Sequence, residues 1–275
     1  MISVLILTRN EELDLPGCLD SVAWCDDVHV LDSGSIDRTV TIAREHGASV
    51  SMRAFDNYAA QRNAGLALPF CHGWVLVLDA DERPTPELVT EMQQAVAHVQ
   101  DGVSGFRMRR RDYLWGTWLK HAQMTPFYVR LLRVDRARYT REINEVVDVQ
   151  GTVASLNAPF DHFPFSKGLA SWVARHNAYS SAEADLLANG TAVQGASLRQ
   201  ALFAADFHQR RAAQKAIFYG LPLRPLIKWL YLMFVRRAVL DGRAGMMYAT
   251  LMGYYEYLIE LKRHERLRER AKLPL

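Results

Sequence analysis

The sequence predicts an α/β fold, a mainly parallel sheet flanked by helices and followed by a helical, basic C-terminal region. Three observations predict it. Short apolar runs alternate with helix-like stretches through the N-terminal part, the signature of βαβ units. Three of those runs stop at polar clusters, Thr8–Glu11, Asp32–Ser35 and Asp79–Glu82. From about Ser171 the pattern reads as helix to the end of the chain.

The elements follow in order. Residues 2–7 are an apolar run that breaks at Thr8-Arg9-Asn10-Glu11-Glu12, as a buried strand entering a loop does. Pro16 opens a helix through about Trp24, and Val28–Leu31 is a second strand stopped by Asp32-Ser33-Gly34-Ser35. Asp37 to His46 reads as helix with Gly47 as its stop, and Ala48–Met52 as a third strand. Tyr58–Leu68 is a helix and Trp74–Leu78 a fourth, nearly all-apolar strand. Pro84 and Pro86 start another helix, with Leu88, Val89, Met92, Val96 and Val99 on one face. Phe106–Met108 is a strand, after which the texture becomes irregular and rich in Arg, His and aromatic residues.

Right-handed crossovers put the ends of parallel strands on one edge of the sheet, where ligands bind. The three polar clusters are therefore expected to converge. Asp79 and Asp81 stand at i and i+2, so on an extended chain they point the same way. Unpaired, they would repel one another and lose hydration. A hard divalent cation, Mg²⁺ or Mn²⁺, shared with phosphate oxygens would relieve both costs. A solvated acidic turn before the helix at Pro86 is the plainer alternative; the apolar strand before the pair and the matching clusters favour the cation.

Ile2–Leu7 with Thr8-Arg9-Asn10-Glu11-Glu12, Val30-Leu31-Asp32-Ser33-Gly34-Ser35-Ile36-Asp37-Arg38-Thr39, Gln61-Arg62-Asn63 and Leu78-Asp79-Ala80-Asp81-Glu82 together resemble family 2 glycosyltransferases with the Rossmann-like GT-A fold. The branch they are most similar to is that of lipopolysaccharide core β-1,4-glucosyltransferases. Arg109-Arg110-Arg111-Asp112-Tyr113 with Leu114-Trp115-Gly116, and Tyr128 through Arg133, are also similar to that branch, so the likeness covers about residues 1–165. It implies a nucleotide-sugar-binding catalytic domain over 1–170; the remaining 171–275 is expected to be a helical region in contact with membrane or a second subunit. Thr8, Arg9, Asn10 and Glu11 would line the nucleotide pocket, with Asp32 and Ser33 at the uracil. Arg62 would meet the diphosphate. Asp79 and Ala80 would lie against the nucleotide-sugar, and Asp81 with Asp79 at the metal. The branch carries a His-Glu pair as a landmark for the base; here Asn144 stands in place of the His, which leaves Glu145, then Glu142, as the group taking the acceptor proton. Tyr113, Trp115, Lys120, His121 and Arg130 would meet the acceptor.

The resemblance thus implies inverting transfer of a hexose, glucose favoured, from a UDP-sugar to a lipid-linked or lipopolysaccharide-core-type saccharide. A catalytically silent scaffold on the same fold is the alternative from another class. A nucleotidyltransferase is a third, weakened because Thr8–Glu12 has no glycine. The net charge is only +3, but its distribution is uneven: from Arg199 to Leu275, 15 Lys and Arg face 6 Asp and Glu. The apolar run Leu226–Val235 contains Lys228, is followed by Arg236 and Arg237, and is too short to span a bilayer. It reads as a helix lying on the anionic cytoplasmic face of a membrane, with a core-packed pair or homo-oligomer contact as the alternative. No nucleic-acid module is recognisable. Three cysteines with no CxxC pair predict neither a disulfide framework nor a Cys-based zinc site, and His121, His162 and His176 lack zinc-ligand spacing. The N-terminal run reads as a strand, not a signal peptide, so a cytoplasmic, peripherally attached protein is expected.

Overall fold

A computed structural model describes residues 1–123, 127–140, 146–190, 198–203 and 207–274. The chain divides into two compact units, Met1–Tyr113 with Thr125–Ser166, and Leu114–Met124 with Lys167–Leu275.

The first unit opens with the expected alternation: β1 (Ser3–Thr8), α1 (Leu15–Ser21), β2 (Val28–Asp32), α2 (Thr39–Glu45), β3 (Ser49–Met52), α3 (Tyr58–Leu66) and β4 (Trp74–Asp79). Next come a short β5 (Glu82–Pro84), α4 (Pro86–Ala97) and a long β6 (Val103–Leu114). β7 (Thr117–Trp118) lies in the second unit. The first unit resumes with β8 (Phe127–Arg133), β9 (Ala137–Thr140), β10 (Val146–Val149) and β11 (Thr152–His162). The main sheet runs β3-β2-β1-β4-β8-β6-β11-β5, and β9 and β10 form a small antiparallel sheet. β1 to β4 are mutually parallel where they pair. β8 runs antiparallel to both β4 and β6.

Both faces of β1, β2 and β4 are buried, which is why these strands are mainly apolar, while the edge strand β3 is partly exposed and alternates. Val4, Ile6, Val30, Leu76 and Leu78 join Leu15, Leu88 and Met92 on one face. Leu5, Leu31, Val75 and Val77 meet Ala59, Leu66 and Tyr139 on the other. Two helix starts carry side-chain caps: Asn57 Oδ1 accepts from Ala60 N at 2.8 Å and Thr85 Oγ1 from Leu88 N at 3.2 Å.

The irregular stretch after Met108 conceals most of the strands that the sequence does not predict. Arg residues hide them. Arg107 and Arg109 lie over the Phe127 ring at 5.3 and 5.2 Å, and Arg110 over Tyr128 at 4.6 Å. Cationic side chains there cover aromatic neighbours across the sheet, so the apolar–polar alternation that marks a strand is lost.

The second unit is helical: α5 (Gly168–Ala188), α6 (Leu198–Phe203), α7 (Phe207–Tyr219), α8 (Arg224–Leu230) and α9 (Gly242–Arg270). A π-helical turn, Tyr231–Val235, prolongs α8, and a 3₁₀ turn, Ala238–Asp241, precedes α9. Lys262 Nζ ties α9 to α5 through Asn177 O at 2.6 Å and Ser180 Oγ at 2.8 Å. The reversal into α9 is tight. A Cβ on Gly245 would stand 2.1 Å from the Ala238 carbonyl oxygen, whereas one on Gly253 would meet only ordinary contacts near 3.4 Å.

Gly245→Ala should therefore destabilise the protein by about 1–3 kcal/mol, while Gly253→Ala should be neutral or slightly stabilising through helix propensity. Urea unfolding of the two variants checks this; equal midpoints would show that the reversal is not packed as described.

Candidate active site

The expected convergence is present. β1 lies between β2 and β4, with Thr8 opposite Asp32 and Leu7 opposite Asp79. The three polar clusters thus share one sheet edge.

At the first two clusters the loops bind each other. Thr8 Oγ1 donates to Asp32 Oδ2 at 2.8 Å, and Asp32 Oδ1 accepts from the backbone of Gly34 and Ser35 at 2.9 and 2.8 Å. Asn10, at positive φ, donates its N–H to Ser35 Oγ at 2.7 Å, and its Oδ1 accepts from Ile36 N at 2.9 Å. Glu11 N donates to Thr39 Oγ1 at 2.7 Å. Ser33 Oγ accepts from Gln61 Nε2 at 2.9 Å. Asp32, expected at the uracil, is fully buried, with its carboxylate bonded to its own loop. Arg9 stays exposed at the edge.

The third cluster is a network of charges. Arg62 Nη2 donates to both Asp79 oxygens, at 2.9 and 3.0 Å. Arg130 Nη2 donates to Asp79 Oδ2 at 3.0 Å and to Glu82 Oε1 at 2.5 Å. Glu82 is fully buried, and its Oε2 accepts from Asp79 N at 3.1 Å, closing the turn. Burial by itself would push the Asp79 carboxyl up, but Arg62 and Arg130 outweigh it and hold Asp79 well below the usual carboxylate range. Arg62 and Arg130 are buried and bound to protein carboxylates, whereas the sequence reading placed one at a diphosphate and the other at an acceptor. Asp79, already held by two guanidiniums, is a poorer metal ligand than its neighbour.

That neighbour has a partner which the sequence reading missed. β5 pairs antiparallel with β11, bringing His162 opposite Glu82. His162 Nε2 lies 3.3 Å from Asp81 Oδ2, and its Nδ1 bonds Asp112 Oδ1. Asp112 is buried and also pairs with Arg110 at 3.0 Å. Burial opposes a charge on His162, but the bonds to Asp112 and Asp81 prevail and push its pKa up to about 9. A ring fixed by a buried carboxylate on one nitrogen, with the other facing a partly exposed carboxylate, is the arrangement of a metal-binding histidine. Among the described residues no three His, Cys, Asp or Glu side chains form a metal-holding group. A magnesium-type site uses one or two carboxylates and fills the rest with phosphate and water. Asp81 fits that description, and His162 would join it as the neutral imidazole, its Nε2 proton displaced by the ion. His162 and Asp112 are fifty residues apart, so no local spacing could have signalled the pair.

Ala80 is buried between the two aspartates. Tyr113 stacks on Phe163, with ring centroids 5.3 Å apart. Trp115 is exposed at φ 50°, just before Gly116 at φ 73°. Lys120 sits over the Trp118 ring at 5.6 Å. His121, expected at the acceptor, instead bonds Asp241 through its backbone N–H at 2.9 Å and its Nδ1 at 2.6 Å. Glu142, Asn144 and Glu145 lie outside the described residues.

A family model described as "Glycosyl transferase family 2" matches residues 3–157. An uncharacterized glycosyltransferase of Rickettsia felis is 30% identical over 209 residues, 69% of this chain and 71% of its own. The lipopolysaccharide core biosynthesis glycosyltransferase LpsC of Rhizobium meliloti is 25% identical over 276 residues, covering 96% of this chain and 92% of its own. Among solved structures, glucosyl-3-phosphoglycerate synthase from Mycobacterium tuberculosis, in complex with Mn²⁺, UDP and glucosyl-3-phosphoglycerate, aligns at 25% identity and a TM-score of 0.35. The alignment covers 40% of this chain and 44% of that one.

The raised pKa of His162 has a consequence for stability. The folded value of about 9 exceeds the ordinary 6.5, so the charged ring stabilises the fold fully below the ordinary value. That contribution is lost as pH rises through the folded one. In EDTA, unfolding free energy should fall by about 1–3 kcal/mol over this window, and His162→Gln should flatten the fall. A wild-type protein whose stability is level across the window, or falls as steeply in the variant, would contradict the assignment.

Proposed function

Since the chain belongs to glycosyl transferase family 2, we propose that it moves a hexose, glucose favoured, from a UDP-sugar to a lipopolysaccharide-core-type or lipid-linked saccharide, with inversion at the anomeric carbon. The observation that carries the reading is that Asp81, just after β4, faces His162, at the end of β11, on the sheet edge where β1 and β2 also end. The likeness to LpsC along nearly the whole chain supports a saccharide acceptor of the lipopolysaccharide-core class.

Asp81 and His162 would hold the divalent cation, Mg²⁺ or Mn²⁺. When bound, that ion supplies positive charge against the diphosphate as the bond to the sugar breaks. Asp112 keeps the His162 ring turned so that Nε2 faces Asp81. Arg62 and Arg130 hold Asp79 ionised and in place, which keeps the strand end rigid. The bonds from Thr8 and Asn10 to the Asp32–Ile36 loop make those two loops one wall for the nucleotide. Glu145 would take the proton of the attacking acceptor hydroxyl, with Glu142 second; this follows from the resemblance alone.

Titration calorimetry with UDP tests the reading. Mn²⁺ should tighten UDP binding at least about tenfold, and Asp81→Ala or EDTA should abolish the gain. UDP uptake indifferent to the cation in the wild-type protein would remove metal-assisted transfer and leave the silent scaffold. Separately, Glu145→Gln should lower kcat by about 10²–10⁴-fold with little change in the Kd for UDP; turnover within a few-fold of wild type would exclude it as the base.

A further inference from the structure

The helical unit exposes an apolar strip where the chain turns from α8 into α9. Leu223, Leu226, Leu230 and Phe234 recur at helical spacing along α8 and its π-helical extension, and all four are exposed. Val235 and Leu240 continue the strip in the reversal; with Leu223 and Phe234 they are 61–69% exposed. Met246 and Met247 follow in the first turns of α9. Single exposed apolar residues are ordinary, but a continuous strip on one element marks a contact surface.

The inner side of the same segment is packed. Leu232 and Met233 are buried, and Trp229 and the Pro225 carbonyl approach α9 at Gly253. The strip is thus a chosen face of a well-packed helix pair.

Its charges are sorted as well. Arg237 and Arg243 are exposed at the reversal and have no carboxylate partner among the described residues. The one nearby acid, Asp241, is buried and turned inward, where it accepts from the His121 and Ala122 backbone N–H groups at 2.9 and 2.7 Å. Arg236 likewise turns inward, to the Gln123 carbonyl at 3.2 Å. The outer face is left apolar with a positive rim, complementary to acyl chains beneath anionic headgroups. Among the described residues no helix is long and apolar enough to cross a membrane.

We propose that this turn, Leu223 to Met247, seats on an anionic lipid bilayer, with Phe234, Val235 and Leu240 entering the acyl boundary and Arg237 and Arg243 meeting headgroup phosphates. The sequence places the contact on the run Leu226–Val235 with Lys228, Arg236 and Arg237. The structure narrows it to the outer face, because Arg236 turns inward to the Gln123 carbonyl and Arg224 is buried against the Tyr219 ring at 5.1 Å. The inference stands on the surface of this unit and is independent of the proposed sugar transfer.

Co-sedimentation of the full-length protein tests it, with vesicles of phosphatidylcholine alone or with an equal share of phosphatidylglycerol. The protein should pellet with the anionic vesicles. The pair Phe234→Glu and Leu240→Glu should lower partitioning at least about tenfold, and the pair Arg237→Glu and Arg243→Glu should lower it on anionic vesicles by a similar factor. All variants should keep wild-type melting and UDP affinity, which separates this surface from the donor site. Wild-type protein that stays in the supernatant with both vesicles would overturn the proposal. So would undiminished binding by the Phe234/Leu240 pair. A self-associated species in ultracentrifugation that this pair disperses would also overturn it, assigning the strip to a second copy of the chain.

Discussion

Four buried or half-buried charges at the end of β4 must be satisfied together: Asp79, Glu82, Arg62 and Arg130. An ionised group left without its partner in the interior costs roughly 3–5 kcal/mol. The sheet meets that constraint by drawing its charges from distant parts of the chain, Arg62 from α3 and Arg130 from β8. With Asp79 and Glu82 engaged on the inner side of the turn, Asp81 is left on the outer side, beside His162. The division of labour between two aspartates that look alike in sequence follows from which one the arginines reach.

The same requirement explains the mixed sheet. A purely parallel core ending at β4 would leave Asp79 and Glu82 without Arg130. β8 enters antiparallel beside β4 and delivers it. β6 and β11 extend the sheet further and bring Asp112 and His162 level with each other. β5, only three residues long, pairs with β11 and fixes the level of His162 against the β4–β5 turn. Strands that carry arginines and histidines are therefore part of the machinery that positions the acidic edge.

The helical unit applies the same rule to a different end. Its acid at the reversal, Asp241, is spent on the backbone of His121 and Ala122, which fastens the Leu114–Met124 segment to the turn before α9. Turning that charge inward leaves apolar and cationic groups outside. Gly245 makes the turn possible, because any side chain there would collide with the Ala238 carbonyl.

The sequence by itself determined the parallel half of the fold. Three of its four strands, β1, β2 and β4, are runs such as Val75-Leu76-Val77-Leu78 that are buried on both faces, and each of the three ends at a polar cluster; those signals are local, and local spacing carries them. It also determined that Thr8, Asp32, Asp79 and Asp81 share an edge, since parallel connectivity leaves no other arrangement. Only the tertiary structure decided what each group does there. Arg62 and Arg130 look like ligands for anions in the sequence, yet they serve Asp79 and Glu82; His162 looks like an isolated histidine, yet it faces Asp81 and is held by Asp112. These pairings join residues tens of positions apart through cross-strand register, and no periodicity records a register between distant strands.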